Sequence, residues 1–211
     1  MNIYTTPLLT ARDAARHLRM PESTLDVWLR DDDHGEPLVH SVEPERRGWP
    51  RVPFAGLIEA YVLRTLRESG FNMGEIRRIA KILRSEFNDP FALATQRVAT
   101  DGATLFALMA DASLVNQHRQ APIREVIDAD LRFIRWNEDG KPKQLRLQQY
   151  PEGAEVVIDP RFGWGRPVIA ASKVPVEAVV GLWQAGEPMD VVAAEFDLSR
   201  DVVEDICRVA A

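Results

Sequence analysis

The sequence predicts an α+β fold, helical towards both ends with short strands between, and three observations carry that expectation. Apolar residues recur at i, i+3, i+4 through the first part of the chain and again near its end, the period of a helix with one buried face. Between them the period shortens, and Asp101-Gly102 and Asn137-Glu138-Asp139-Gly140 punctuate the runs as hairpin turns do. Charge divides in the same way. Residues 1–90 hold 13 basic and 14 acidic side chains, residues 91–150 hold 8 and 7, and residues 151–211 hold 5 and 11. The net charge of −6 therefore lies entirely in the last stretch, which predicts two surfaces of different electrostatic character.

The first module, residues 8–88, opens at Thr10-Ala11-Arg12-Asp13, an N-cap with an acidic residue in the first turn. Ala11, Ala14, Ala15 and Leu18 then form one apolar helical face. Arg19-Met20 breaks that helix, Pro21 suits the start of the next, and Leu25, Trp28 and Leu29 give it a buried face. Two short helices joined this tightly make a helix-turn-helix. Leu38–Val42 and Trp49–Pro53, separated by a polar turn, read as a small hairpin or wing whose prolines confine it to edge strands. Phe54–Ser69 follows as a helix with Leu57, Ile58, Tyr61, Val62 and Leu66 inward and Gly70 as its stop. Met73–Phe87 is a second, burying Ile76, Ile79, Ala80 and Leu83 and ending at Asn88-Asp89-Pro90. Its Arg77, Lys81 and Arg84 fall on one line with Arg78 beside it, a basic stripe that reads first as a solvated helical face.

Residues 89–154 form a connector. Gln96–Thr100 and Ala103–Leu108 flank Asp101-Gly102 as a hairpin, Pro122–Asp130 is a helix, and Leu131–Trp136 with Gln144–Gln149 makes a second hairpin. Residues 155–211 contain the strand Val156–Ile158 and the Pro-, Gly- and aromatic-rich run Asp159–Pro167. Three helices follow, Val174–Ala185, Pro188–Phe196 and Ser199–Val209, the last capped by Ser199 and paired with its predecessor in helix-turn-helix fashion.

Composition excludes several classes. At 45% apolar and 27% charged, wholesale disorder is excluded. A single cysteine, Cys207, rules out an internal disulfide framework and a multi-thiolate metal cage, and reads as a small core residue. No apolar run approaches the roughly 18–20 residues needed to span a bilayer, and Met1–Pro7 has neither the basic region nor the apolar core of a secretory signal. The expectation is a reduced, cytoplasmic protein with no membrane partner. Asp31-Asp32-Asp33-His34 invites a metal reading, but consecutive carboxylates diverge on most backbones and no second cluster supplies ligands. His17, His34, His40 and His118 show no zinc spacing. With no Walker loop, dinucleotide fingerprint or nucleophile elbow, the expectation is no enzyme, no cofactor and no metal.

Two families are named by these residues. Ala11–Arg30, with Pro21-Glu22-Ser23-Thr24-Leu25, Trp28-Leu29 and the wing that follows, resembles the MerR-like winged helix-turn-helix over residues 8–88. Gly165-Arg166-Pro167-Val168-Ile169-Ala170, Val174-Pro175-Val176, Ala185-Gly186-Glu187 and Asp197-Leu198-Ser199 resemble a small antitoxin-associated domain, whose pattern is close to G-[RQ]-P-[VC]-I-x-G-T-R-[IV]-[PT]-V before its helices. Together they resemble VapB-type antitoxins of type II toxin–antitoxin operons. The resemblance implies a PIN-domain ribonuclease toxin of the VapC type as partner, operator DNA as ligand, and a homodimer. Ala171-Ser172-Lys173 stands where that pattern has G-T-R, so the charge persists without arginine's planar fork. The second helix also departs, with Glu22, Asp26 and Val27 where MerR-like proteins usually carry arginine.

DNA binding requires phosphate-positioning cations before base readers. The candidates are Arg12 and Arg16 on the first helix, Arg30, the wing residues Arg46, Arg47 and Arg51, and the hydroxyls of Ser23 and Thr24. The competing reading is a helix-turn-helix used for packing or dimerisation, its arginines merely solvated. For the toxin, the candidates are Arg161, Trp164, Arg166 and Lys173: the glycines of this run permit close backbone approach, its aromatics offer contact area that interfaces favour, and the cations would neutralise a carboxylate-rich nuclease site. The competing reading is a structural turn with Trp164 covering a small core. In the last helix Asp201, Glu204 and Asp205 repel phosphate, leaving Val202, Val203 and Ile206 as a dimerisation stripe or simple core. Two functions stand: an antitoxin that also binds its operator, or a stand-alone MerR-like regulator whose C-terminal domain serves dimerisation or ligand sensing.

Overall fold

In the computed structural model, which describes residues 2–30, 36–99 and 123–210, the chain divides into two units, Met1–Lys143 and Gln144–Ala211. The fold is α+β, as expected. Thr10 starts the first helix as its hydroxyl dictates. Its Oγ1 accepts from the Asp13 backbone N–H at 3.0 Å and donates to the Asp13 carboxylate at 2.7 Å, capping α1 (Ala11–His17). Arg19 takes the left-handed φ of 52° that turns the chain, Pro21 caps the next helix, and α2 (Glu22–Trp28) buries Leu25 and Trp28. Within α1, His17 is buried, and that burial, with Arg16 beside it, holds its imidazole down at about 4.

The wing is built differently from the expected hairpin. Val52–Pro53 (β2) pairs with Pro7–Leu9 (β1), the strand that precedes the helix-turn-helix, and not with residues 38–42. One backbone bond, from the Val42 N–H to the Arg51 carbonyl at 2.8 Å, crosses the base of the loop, while the Arg51 N–H donates to the Leu9 carbonyl at 2.9 Å. The physical reason lies in burial. Leu38 and Val39 are drawn into the core, and the Val39 N–H donates to the Trp28 carbonyl at the end of α2, which leaves no free edge for a ladder.

The core of unit 1 is α3 (Phe54–Glu68), where every residue from Phe54 to Leu66 is buried. Its inward positions are those expected, but its other face is covered too. The covering segment is the wing base, fixed by a buried carboxylate. Glu59 Oε2 accepts from the His40 backbone N–H at 2.8 Å, and Oε1 lies 2.8 Å from His40 Nδ1, which as partner to a carboxylate carries the proton. Arg84 of α4 (Met73–Phe87) closes the cluster. Its Nη2 lies 3.8 Å from Glu59 Oε1, and its guanidinium donates to the carbonyls of Pro37 and Leu38 at 3.1 and 3.0 Å. Arg84 therefore leaves the basic stripe expected along α4, because those carbonyls and Glu59 lie on the inner side. Gly56 admits the wing base, since a Cβ there would meet the His40 carbonyl oxygen at 2.4 Å. α4 itself is set by a capping box between Asn72 and Glu75 and ends at Asn88, φ 49°. Gly70, φ 94°, stops α3 as expected.

α5 (Ile123–Leu131) packs on α3, where the Tyr61 hydroxyl donates to the Asp130 carbonyl at 2.8 Å. The expected hairpin around Asp101-Gly102 and the loop Asp31–His34 lie outside the described residues. Residues 97–99, expected within a strand, are helical instead, the Ala99 N–H donating to the Gln96 carbonyl at 2.9 Å. After β3 (Ile134–Trp136), the turn at Asn137–Gly140 leads into β4 (Pro142–Arg146), which begins two residues before the expected strand, and the division between the units falls within it.

In unit 2, β4, β5 (Val156–Ile158) and β6 (Val168–Ile169) run antiparallel, with Leu145 opposite Ile158 and Val157 opposite Val168. Strand β6 was not apparent from periodicity. Three helices follow, α6 (Val176–Gln184), α7 (Met189–Glu195) and α8 (Arg200–Ala210), and the Val202 N–H donates to Ser199 Oγ at 3.3 Å as a cap. α8 packs against α6, α7 and the 3-10 turn Glu152–Ala154. Val203 and Ile206 are therefore core, not a dimerisation stripe, and Cys207 is buried beside them as a free thiol.

Removing the Glu59 carboxylate leaves the half-buried His40 N–H and ring and the Arg84 guanidinium without their shared acceptor. Glu59→Ala is expected to cost about 3–5 kcal/mol and Glu59→Gln, which keeps an acceptor oxygen, distinctly less. Denaturation of both variants checks this, and a loss below about 1 kcal/mol for the alanine variant would contradict it.

His17 gives a pH dependence. The unfolded imidazole takes its proton near 6.5 and the folded one near 4, so between these values the unfolded chain binds more protons. Stability should therefore fall as pH drops from 6.5 towards 4, by up to about 3 kcal/mol. A His17 ring resonance titrating near 6.5 in the folded protein would refute it.

Candidate functional site

The outward surface of unit 1 follows from what its helices bury. Arg64 on α3 reaches back to donate to the Leu18 carbonyl at 2.5 Å, so the C-terminus of α1 is held by a buried cation. With Leu25, Trp28 and Leu29 inward, α2 leaves Glu22, Ser23, Val27 and Arg30 exposed and Thr24 and Asp26 half-buried. Arg12 and Arg16 are exposed one turn apart on α1. Arg16 lies 3.6 Å from Asp13, a solvent-exposed pair of little energetic weight. Arg46 and Arg47 are exposed at the wing tip, where the Trp49 N–H donates to the Arg46 carbonyl at 3.1 Å.

Two placements differ from the sequence expectation. Arg51 is half-buried, with Nη2 donating to Ser41 Oγ at 3.3 Å, so it braces the wing and is not presented outward. Trp49, read only as a strand residue, is 47% exposed with the Arg46 guanidinium 5.4 Å from its ring centroid. An aromatic beside two exposed arginines is the signal that periodicity passed over.

In unit 2 the Arg161–Arg166 loop is tied down at one end. Asp159 is fully buried and accepts from Gln144 at 2.6 Å, from the Arg161 backbone N–H at 2.9 Å, and from the Arg161 guanidinium at 3.0 and 2.9 Å. Burial pushes the Asp159 carboxyl up, but the hydrogen bonds from Arg161 and Gln144 outweigh it and hold it below the usual carboxylate range. Arg166 pairs with Glu177, and Lys173 donates to the Ala170 carbonyl with Nζ 5.4 Å from the Phe162 ring centroid. The three cations expected to neutralise a partner's carboxylates thus already have partners.

Trp164 does the reverse of covering a core. It is 82% exposed and sits at φ 51°, ψ 44°, between Gly163 and Gly165, both also at positive φ. A bulky side chain in this basin is an outlier that costs about 1–2 kcal/mol. Gly163 is required, because a Cβ there would come within 2.8 Å of Val168 Cγ1. Lys173 supplies the left-handed residue, φ 63°, of the turn before α6, while Ala171 has an ordinary negative φ. The glycine of the family pattern is therefore not needed at that position.

Arg200 pairs with Asp190, and Arg208 with Glu204 and Asp205, so both arginines of the α7–α8 pair are engaged, while Glu195 and Asp201 are exposed. Among the described residues no group of three or more His, Cys, Asp or Glu is placed to hold a metal ion, and no helix is long and apolar enough to cross a membrane.

These surfaces define a class: a helix-turn-helix protein carrying a second, small α+β unit. The family described as "Putative DNA-binding HTH domain" matches residues 7–80, and that described as "Protein of unknown function (DUF433)" matches residues 156–208. The chain is 31% identical to "Putative antitoxin VapB45" of Mycobacterium tuberculosis (strain ATCC 25618 / H37Rv), over 96% of this chain and 93% of that one. The crystal structure of Rv2018 from Mycobacterium tuberculosis superposes with a TM-score of 0.81 at 31% identity, covering 97% of this chain and 99% of that one. The chain belongs to the family of VapB-type antitoxins with an N-terminal helix-turn-helix.

Because glycine enters the left-handed basin without steric cost, Trp164→Gly is expected to keep stability within about 1 kcal/mol of the wild type. Thermal unfolding followed by circular dichroism checks this. A loss above about 2 kcal/mol would mean that the indole supports the fold.

Proposed function

We propose that this chain is a non-catalytic antitoxin whose N-terminal helix-turn-helix binds operator DNA and whose C-terminal unit holds a cognate PIN-domain ribonuclease toxin of the VapC type. The observation that carries the DNA half is the set of exposed cations flanking α2 in sequence, with Arg12 and Arg16 before it and Arg46 and Arg47 after it. They suit phosphate contacts, and Ser23 and Thr24 offer hydroxyls at the start of α2. Glu22 and Asp26 repel phosphate, so backbone contacts fall to α1 and the wing. Domain limits of 8–88, 89–154 and 155–211 belong to this reading, as does a homodimer that meets two operator half-sites. The relationship to an antitoxin along 96% of the chain favours this function over a stand-alone regulator.

The test co-expresses the tagged chain with the product of the adjacent reading frame and titrates the purified material onto the DNA upstream of its gene. Co-purification and relief of toxicity are expected. Operator affinity should fall with salt at a log–log slope near −0.9 per neutralised phosphate, and Arg46→Ala with Arg47→Ala should weaken binding and flatten that slope by about 2. No co-purification with unrelieved toxicity refutes the antitoxin role, and an unchanged slope removes the wing from the DNA contact.

A further inference from the structure

Charge and exposure in the Arg161–Lys173 region point to a kind of contact different from electrostatic plugging. Two of its three cations are paired with carboxylates, Arg161 with Asp159 and Arg166 with Glu177, which leaves one net positive charge. Lys173 is folded back onto the Ala170 carbonyl. Presenting Arg161 to a partner would break its two-point bond to the buried Asp159, and presenting Lys173 would break its bond to the Ala170 carbonyl, whereas the Arg166–Glu177 pair is solvent-exposed and of little energetic weight. The aromatic side chains need no such exchange. Trp164 stands at the apex of a turn with three successive positive-φ residues, and Phe162 is 40% exposed close by in the same loop. Neither ring is needed to close the core of unit 2, which Val156, Val157, Ile158, Val179, Val203 and Ile206 already fill.

We infer that Trp164 is the anchor by which unit 2 docks its toxin, entering an apolar pocket on the toxin surface with Phe162 at the rim, and that the arginines of the loop hold its shape and make no decisive charge contact. This rests on the proposed antitoxin role and specifies its chemistry. A nearly neutral, aromatic-tipped loop complements an apolar concavity, whereas a carboxylate-lined nuclease centre would select free cations. Tryptophan suits the task, since it brings large apolar area with two side-chain torsions to order. A backbone held in the left-handed basin by Gly163 and Gly165 also presents the ring before the partner arrives.

The experiment measures the dissociation constant of the complex between the full chain and the adjacent reading frame's product. It compares wild type, Trp164→Ala, Trp164→Gly and the double variant Arg166→Ala with Lys173→Ala, each at about 0.1 M and about 0.5 M NaCl. Expected are a weakening of at least about 30-fold for both Trp164 variants, with circular dichroism and unfolding temperature like the wild type. The cation variant should stay within about 3-fold, and the salt response should be similarly small. Trp164 variants that bind like the wild type, or a cation variant that loses binding with steep salt dependence, overturn this inference while leaving the antitoxin role standing. Failure of the wild type to bind overturns both. Sedimentation of the chain alone identifies the other occupant: a wild-type dimer that Trp164→Ala converts to monomer, with toxin binding intact, would assign the indole to a second copy and overturn the proposal.

Discussion

The helix-turn-helix unit depends on one buried carboxylate. Glu59 sits on a helix whose residues are all buried from Phe54 to Leu66, where an ion without partners would be prohibitive. It is tolerated because the His40 backbone N–H, the His40 ring and the Arg84 guanidinium converge on it. The consequence is positional. By fixing His40 from α3 and Pro37 and Leu38 from α4, the cluster holds the base of the wing, and the bond from Val39 to the Trp28 carbonyl ties that base to the end of α2. The wing tip has one backbone bond across its foot and no ladder, so its direction is inherited from this anchor. Apolar packing alone would leave the loop free to slide along α3. A carboxylate with two directional acceptors does not.

Unit 2 uses the same device at smaller scale. Asp159 is as buried as Glu59 and is satisfied by Gln144, on the neighbouring strand β4, and by Arg161 in its own loop. Its partners serve to aim a segment, here the turn that ends in Trp164. In both units a buried acid fixes the base of a loop whose tip carries an exposed tryptophan, Trp49 with its stacked arginine in one and Trp164 between glycines in the other. The tips differ in the charge around them. At the first, Arg46 and Arg47 are exposed with no carboxylate among the described residues bonded to their guanidinium groups, though Glu43 and Glu45 are exposed in the same loop, whereas Arg161 and Arg166 are paired with carboxylates beside the second. That difference fits a polyanion for one surface and an uncharged protein surface for the other.

What the sequence made legible was local. Thr10, Gly70, Asn88 and Ser199 act at helix ends through their own backbone neighbours, and each sits where its chemistry placed it. The strand partner of Val52–Pro53 was not legible, because it lies more than forty residues earlier and the alternative in residues 38–42 looked equally apolar. Arg84 read as a surface cation because helical spacing cannot tell which neighbour offers carbonyls to a guanidinium. Glu59 carries no motif, only an acid set among apolar residues in a helix, and its partners His40 and Arg84 lie 19 and 25 residues away in sequence. For the candidate sites, residue types were legible but their state was not: whether Arg161 is free, or Trp164 covered, depends on tertiary contacts that spacing does not encode.

The net charge of −6 can be placed in the same physical terms. Total charge sets the far field, but within a Debye length of about 8–10 Å the near cations decide. Residues 1–90 are close to neutral, and four arginines on α1 and the wing are exposed, although Glu43 and Glu45 are exposed in the same wing and Asp13 lies beside Arg16. Residues 151–211 carry the surplus, and of the three carboxylates on α8 Glu204 and Asp205 pair with Arg208 while Asp201 is exposed, which argues against phosphate there despite the helix-turn-helix look of the α7–α8 pair. The acidic helix face of α2 fits this division as well. A carboxylate near a phosphate is repelled, yet the same group accepts a hydrogen bond from a cytosine amino group in the major groove. A helix bearing Glu22, Asp26 and Val27 is thus unsuited to backbone contact but remains chemically able to discriminate bases, provided that Arg12, Arg16, Arg46 and Arg47 supply the attraction.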